Sequence, residues 1–435
     1  MSQVIVIGAG IAGLTAAYTL QQQGVSVEVI EAASRVGGRM TTDILEGYII
    51  DRGAQFLSSE YSLLSNIITT LGLQNDFIKT SPWAAIRRGG KIHRFRYADV
   101  LSPLKSNLLN GREWFKLGLA SAKYAPALTR LPINNYSAWA DFDTENAADW
   151  YNAQYGVWMT EYLIEPMLEG FYFQSPEETS RALPMAVSGF LARGAHTMTL
   201  RGGIESLATG LGARLRVSLN ERVENILVEK DHVCIRTTKR EFEAPFVICA
   251  TPAHITKEIG AGKLALLDTP YASTLNLALG ISKKWTLPEA MREVYGLLLP
   301  RQERQHIAAI AVETAKSTDR AVDGHLLNVM LDGKSGAEML AWDEQSILET
   351  LLPELEDVLP HISLYIVFKK LYRWHSAEPK SPVGRSQNIR AYRNNISPNT
   401  RILLAGDYMG MPFTEGAAET GKWAAEQILK KGIAI

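Results

Sequence analysis

Cysteine is almost absent from the chain: Cys234 and Cys249 are the two in 435 residues, and they show no Cys-x-x-Cys spacing. That excludes a disulfide framework and leads to the expectation of a reducing, cytoplasmic setting. Long hydrophobic runs are missing too. No stretch approaches the ~18–20 apolar residues that cross a bilayer, and the first apolar run, Val4-Ile5-Val6-Ile7, stops at glycine with no basic lead of the secretory type. Neither sign of charge dominates: 45 Lys and Arg against 46 Asp and Glu leave a net −1, so no nucleic-acid partner is expected. The eight histidines form no His-x3-His pair, so no metal is expected, and no serine sits in a Gly-x-Ser-x-Gly elbow. Repeats, low-complexity tracts and Pro/Ser-rich linkers are lacking as well. What is there is a chain of 46% hydrophobic residues, enough for a sizeable core and two or three domains.

The first thirty residues read as a βαβ unit: a strand at Val4-Ile7, a helix over Ile11-Gln23, then Val25-Val27-Val29 ending at Glu31. Gly89-Gly90 joins two short strands as a hairpin. Residues 107–173 turn helical and aromatic. Strands follow at Arg214-Leu219, Arg222-Glu229, His232-Thr238 and Pro245-Ala250, then at Leu275-Ile281, Val294-Leu299, His306-Val312 and Leu326-Leu331. A helix over Ala337-Val358, a strand over Ile362-Leu371, a strand at Arg401-Ala405 and a helix from Gly416 to Lys430 complete the pattern. With no linker between blocks, the first and last β-to-α junctions are expected to share one nucleotide-binding sheet, the second domain being inserted between them. Trp114 to Leu128 reads as an apolar helix over the core or a pocket, and membrane contact is at most peripheral. Tyr151, Tyr155, Trp158 and Tyr162 fall on one helical face, a pattern more often core than pocket wall.

The glycine turn carries the first chemistry. Gly8 permits the bend, Gly10 lets backbone approach a pyrophosphate, and Gly13, after Ala12, lets the helix pack on the strand. The helix N-terminus offers N–H groups and a positive dipole end to the phosphates. Glu31 ends the next strand, where a carboxylate accepts both ribose hydroxyls and repels a 2′-phosphate.

The string that follows, "EAASRVGGRM", resembles the segment after the ribose-binding glutamate in the flavin-containing amine oxidase superfamily, which includes monoamine and polyamine oxidases, protoporphyrinogen oxidases and phytoene-type desaturases. Gly37 and Gly38 would close backbone on the diphosphate, with Arg39 as a fixed positive charge. Asp51-Arg52-Gly53-Ala54-Gln55-Phe56 is similar to the family's Asp-x-Gly loop beside the flavin, and "RGGIESL" from Arg201 to its glycine pair before a helix. Arg222-Val223-Glu224 resembles the strand whose valine meets adenine. At the far end, "LLAGD" ends in Gly406-Asp407 and "TEGAAETG" begins at Thr414 with Ala417 in its first turn. This second strand-to-helix junction implies FAD rather than NAD.

The resemblance implies an α/β fold, with a Rossmann-like FAD-binding domain of glutathione-reductase type (1–80, 201–265 and 370–435) interleaved with a mixed α+β substrate-binding domain (81–200 and 266–369). It implies hydride transfer from a substrate carbon to flavin N5, with Trp374, Phe413, Asn276, Gln55 and Phe56 as the face where substrate meets flavin. The stretch "WHSAEPKSPVGRSQ" lacks the cysteine that many relatives use to attach the flavin, so FAD is expected to be noncovalent. Asn276 stands where several members carry a lysine, with Lys283 and Lys284 close by in sequence, and Gly384 and Phe413 where monoamine oxidases set two tyrosines. CH–NH oxidation of an amine or amino-acid-derived substrate is the first expectation. CH–CH oxidation of a porphyrinogen, terpenoid or other large apolar substrate is the alternative, and a non-catalytic FAD-binding protein the third. The substrate is expected to be a small-molecule compound, apolar or amine-bearing, with O₂ or another electron acceptor taking the electrons.

Overall fold

The computed structural model describes residues 3–97, 99, 102–262 and 264–431. Val4–Ile7 is buried at every position and pairs in parallel with Val27–Ile30 on one side and Phe246–Cys249 on the other. A strand covered on both faces needs a continuous apolar run, which is what the opening residues supply. Val217–Ser218 and Ile402–Leu404 complete a five-stranded parallel sheet drawn from both ends of the chain. The helices Ile11–Gln22 and Thr414–Leu429 pack against each other beside it, so closely that a Cβ on Gly421 would lie 2.0 Å from the Ala12 carbonyl oxygen.

A second sheet of seven strands has the order Ile366–Pro379, Tyr271–Ile281, His325–Leu331, Ile307–Val312, Val294–Leu298, Trp83–Arg88, Lys91–Arg96. Its inner face, including Leu275, Leu277, Leu279, Ile310 and Val329, packs on Ile347, Leu351 and Leu355 of the helix Glu344–Val358. The helices between residues 111 and 192 gather round Trp139, Trp150, Tyr151 and Tyr155. No helix among the described residues is long and apolar enough to cross a membrane.

Several local expectations need correction. Residues 337–358 do not form one helix: Asp332 caps Gly333–Met339 by accepting from Ser335 N–H, and Asp343 caps Glu344–Val358 by accepting from Ser346 N–H. Two acidic caps start two helices. The strand expected from Ile362 begins at Ile366 and runs to Pro379, which places Trp374 within the sheet. Of Arg214–Leu219 only Val217–Ser218 pairs, and a strand at Glu241–Ala244 was not foreseen. The aromatic stripe is broken at Gly156, whose φ of 106° ends one helix before the next begins. Tyr151 and Tyr155 stack in the core, while Tyr162 lies under the Arg88 guanidinium. The helix Gly111–Arg130 covers the core with Leu117 and Leu128 but leaves Phe115 and Leu119 exposed.

Gly421→Ala is expected to destabilise the protein by about 2 kcal/mol or more, because neither helix backbone can yield without moving the sheet. Guanidinium unfolding measures this, and an unchanged midpoint would refute the packing argument.

Candidate active site

The glycine turn adopts the shape a phosphate needs. Gly8 has φ 100°, and a Cβ on Gly10 would meet nothing within 4 Å. The helix that starts at Ile11 has no capping side chain and no acid in its first turn, so its N–H groups are left for an anion. Glu31 closes the turn's other side, accepting from Ala9 N–H (2.6 Å) and Ala33 N–H (2.8 Å). Gly37 donates to the Ala9 carbonyl, and Gly38 lies over Gly10. Asn220 and Glu221 donate to the Ala33 and Glu31 carbonyls, which brings Val223 to the same end.

Arg39 links this end to the other. Its guanidinium pairs with Asp407 at 2.5 Å and donates to the Ala377 carbonyl at 2.9 Å. Gly406 has φ 127°, and Asp407 is buried. Arg385, also buried, donates to the Asp407 and Gly410 carbonyls, an anchor missed in the sequence. Burial and the neighbouring Asp407 push the Glu378 carboxyl well above the usual range, despite Arg39 and Arg385. The helix Thr414–Leu429, which carries Ala417 in its first turn, also begins without a side-chain cap, and Thr414 Oγ1 is buried with no partner. Both helices thus begin without a side-chain cap, the second carrying the buried Glu415 in its first turn.

Three elements meet at one backbone atom. The Trp374 indole N–H donates to the Arg52 carbonyl at 3.0 Å, and Asn276 Nδ2 donates to the same oxygen at 3.2 Å. A Cβ on Gly53 would lie 3.2 Å from the Trp374 ring. Gln55 folds back, donating to the Asp51 and Gly53 carbonyls and accepting from Asn328, so its amide is spent in knotting the turn that carries Ala54. Phe56 packs edge-on to Phe171 and Tyr295, and Phe413 stacks on Tyr61 at 5.4 Å. Asn276, Trp374 and the turn are thus together, with Phe56 and Phe413 each set in an aromatic cluster.

Beneath the turn lies a group that sequence reasoning missed. Lys316, Asp51, Glu313 and Arg320 are all wholly buried. Lys316 Nζ pairs with Asp51 (2.8 Å), with Glu313, and donates to the Gln55 carbonyl at 2.8 Å. Burial alone would raise the Asp51 carboxyl, but Lys316 and Arg320 hold it below its ordinary value, whereas burial wins at Glu313 and raises it. Lys283, by contrast, is on the surface with Asp323. Gly384 starts the helix Arg385–Asn394 with φ 96°, its N–H on Asp143. Away from the site, His232, Cys234 and Glu243 bring one ligand atom each within 4.8 Å of one another, a pairing that histidine spacing did not reveal.

A profile for flavin containing amine oxidoreductases matches residues 11–429. The chain belongs to that family. The chain is 24% identical to a coproporphyrinogen III oxidase of Bacillus subtilis, with 96% of this chain and 93% of the relative covered. It is 25% identical to an L-amino acid dehydrogenase of Synechocystis over 59% of this chain and 57% of that one. Cyclohexylamine oxidase from Brevibacterium oxydans has the same fold, with a TM-score of 0.76, 20% identity and 99% of both chains covered. The cofactor is a flavin, and the open cradle at Gly10, the two uncapped helix ends and the orphaned Thr414 hydroxyl fit one.

Removing one member of a dry ion cluster leaves the others uncompensated. Lys316→Met is expected to cost about 3–5 kcal/mol in guanidinium unfolding, and adding Glu313→Gln to recover part of that loss; equal stability of Lys316→Met and the native chain would refute the role of the cluster. Glu415 gives a pH test. It is wholly buried, accepts from Leu63 and Leu64 N–H, and its carboxyl is pushed up by burial from an ordinary 4.5 to about 6. The folded state therefore binds more protons between those values, and stability falls as pH rises through them, by about 2 kcal/mol. Glu415→Gln should remove that component of the pH dependence, and an unaltered pH profile would contradict it.

Proposed function

We propose that the chain binds FAD noncovalently and oxidises its substrate at carbon, the hydride passing to the flavin. The observation that carries this is the convergence of Trp374 and Asn276 on the Arg52 carbonyl, which fixes the adjoining Gly53–Gln55 turn. In this reading Gly8, Gly10, Ala12, Gly13, Glu31, Gly37, Gly38, Arg39 and Val223 hold the ADP half. Gly53, Ala54, Gln55, Gly406, Asp407, Thr414 and Ala417 hold the flavin half, Gln55 through its backbone. The proposed division into 1–80, 201–265 and 370–435 against 81–200 and 266–369 is supported by membership of the two sheets, although the strand Ile366–Pro379 spans the boundary at 370.

Bound FAD supplies the hydride acceptor, a chemistry that no side chain offers. The protein's contribution is placement and field. Arg39 and the N-terminus of Ile11–Gln22 balance the charge of the pyrophosphate. Thr414 and the N-terminus of the last helix place donors and a positive dipole end where reduction adds negative charge. Phe56, Phe413 and Trp374 exclude water and fix substrate orientation. Attachment through a cysteine has no support: Cys249 lies wholly buried in the parallel sheet, its thiol pushed up to about 12 by burial, and Cys234 sits on the outer three-stranded sheet.

The aromatic walls, Asn276 in place of a lysine, and likeness along nearly the whole chain to a coproporphyrinogen oxidase support a large, carbon-rich substrate of the porphyrinogen kind. CH–NH oxidation of an amino-acid-derived substrate is the second reading, favoured by the partial likeness to an amino acid dehydrogenase. Mixing the anaerobic holoenzyme with porphyrinogens, amino acids and simple amines and following the flavin absorption band separates them. A porphyrinogen is expected to bleach the flavin fastest, and Trp374→Ala to slow bleaching about 10-fold or more with FAD still bound. A flavin that no compound reduces would reject oxidation at carbon in favour of a non-catalytic role.

A further inference from the structure

The helix Gly111–Arg130 has two apolar faces, of which only one is covered. Trp114, Leu117, Tyr124 and Leu128 turn inward and pack into the clusters around Leu109 and Trp150. Phe115, Gly118, Leu119, Ala122, Ala125 and Pro126 recur at three- and four-residue spacing on the other side, and all six are exposed. Phe115 is 72% and Leu119 69% exposed, although both side chains gain free energy by leaving water. The stripe holds no charge and no side chain that can form a hydrogen bond.

A row of cations runs beside the stripe. Arg112, Lys116, Lys123 and Arg130 follow one another at spacings of four, seven and seven residues, which sets them along the edge next to Leu119. All four are exposed, and among the described residues none of them forms an ion pair. Glu113 is the single acid of the helix and is already engaged: Arg88 pairs with it at 2.9 Å, and its carboxylate accepts the Asn110 N–H in a capping box. Four cations against one acid leave the helix at +3 in a chain of net −1. A protein partner is held by hydrogen bonds as well as apolar contact, about one per 100–200 Å² of interface, and the stripe offers none. A second copy would bring the same cations to the same face and no acid to meet them. An apolar layer beneath anionic headgroups needs no fixed hydrogen bonds and supplies the missing negative charge.

We propose that the helix Gly111–Arg130 is a peripheral membrane-docking element: it lies in the plane of an anionic bilayer, with Phe115 and Leu119 below the headgroups and the cation row among the phosphates. The long stems of Lys116 and Lys123 cover the stripe's edge while their ammonium groups stay at the surface. From Phe115 to Pro126 the stripe is about 17 Å long, a shallow contact, and no helix among the described residues is long and apolar enough to cross a membrane. The chain therefore sits on the bilayer and does not span it through a helix. Docking leaves the inward face packed, so the helix binds in the form it already has. This stands apart from the oxidation proposed above, since it concerns where the chain works and not what it oxidises.

Flotation of the purified full chain, with its flavin bound, tests this on two kinds of vesicle. Phosphatidylcholine vesicles with about one-third phosphatidylglycerol are expected to carry the chain about 10-fold better than pure phosphatidylcholine, a preference that shrinks as salt screens the headgroups. Phe115→Ser with Leu119→Ser should lower partitioning onto the anionic vesicles about 10-fold or more. Because both side chains stand in water in the free chain, the thermal midpoint and flavin content should not change. Lys116→Glu with Lys123→Glu should abolish the preference for anionic vesicles, again at an unchanged midpoint. No flotation with anionic vesicles, equal flotation with both kinds, or flotation that survives in the Phe115→Ser, Leu119→Ser chain would overturn the proposal. Sedimentation without lipid decides on a second copy: a native dimer that becomes a monomer in the same double variant would assign the stripe to self-association and overturn membrane docking.

Discussion

Asp51 is a carboxylate without solvent. Lys316 and Arg320 pair with it, and the Thr42 hydroxyl and Ile204 N–H donate to it at 2.7 and 3.0 Å. Those partners come from three stretches of chain: the start of the hairpin 42–51, the glycine pair and helix after residue 200, and the segment 313–320. Ion pairs this deep add little net stability against a well-packed apolar alternative, but they penalise every arrangement that leaves one charge alone. The turn 51–55 is consequently held in one place relative to both sheets.

That constraint passes directly to the site. Lys316 grips the Gln55 carbonyl from below, and Trp374 and Asn276 grip the Arg52 carbonyl from the neighbouring strands. The turn is fixed by its backbone from both directions, so its edge can face a cofactor without depending on loop stiffness. The parallel sheet contributes the other half. Its two strand-to-helix junctions come from opposite ends of the chain, and the near-contact of Gly421 with Ala12 holds their helices together.

The glycine turn, Glu31, Gly406-Asp407 and the last helix were legible because each is contiguous and its chemistry depends on local backbone shape. Three of the five strands of the parallel sheet, Val4–Ile7, Phe246–Cys249 and Ile402–Leu404, could be read as apolar runs for the same reason. Lys316, Arg320 and Glu378 could not, because each gains its meaning from a partner hundreds of residues away, and Arg385 could not because its partners are backbone carbonyls, those of Asp407 and Gly410. One signal was available. "ETAKSTDR" follows the all-apolar strand Ile307–Val312, and charges placed directly after such a run suggest ions carried inward. Gln55 was read as a substrate-facing side chain because sequence gives position but not direction, and its amide turns back into its own loop. The break between Gly333–Met339 and Glu344–Val358 was hidden by an apolar pattern that continues across it, although Asp343 carried the cap.

The central claim is that one chain builds both halves of an FAD cradle and holds the cofactor without a covalent bond. Acid precipitation of the purified yellow protein, with the supernatant analysed for flavin, tests it most directly. The account predicts FAD released in a one-to-one ratio to chain, with none left on the precipitate. Flavin retained on the precipitated protein, release of FMN or a nicotinamide nucleotide in its place, or a protein with no flavin would contradict it.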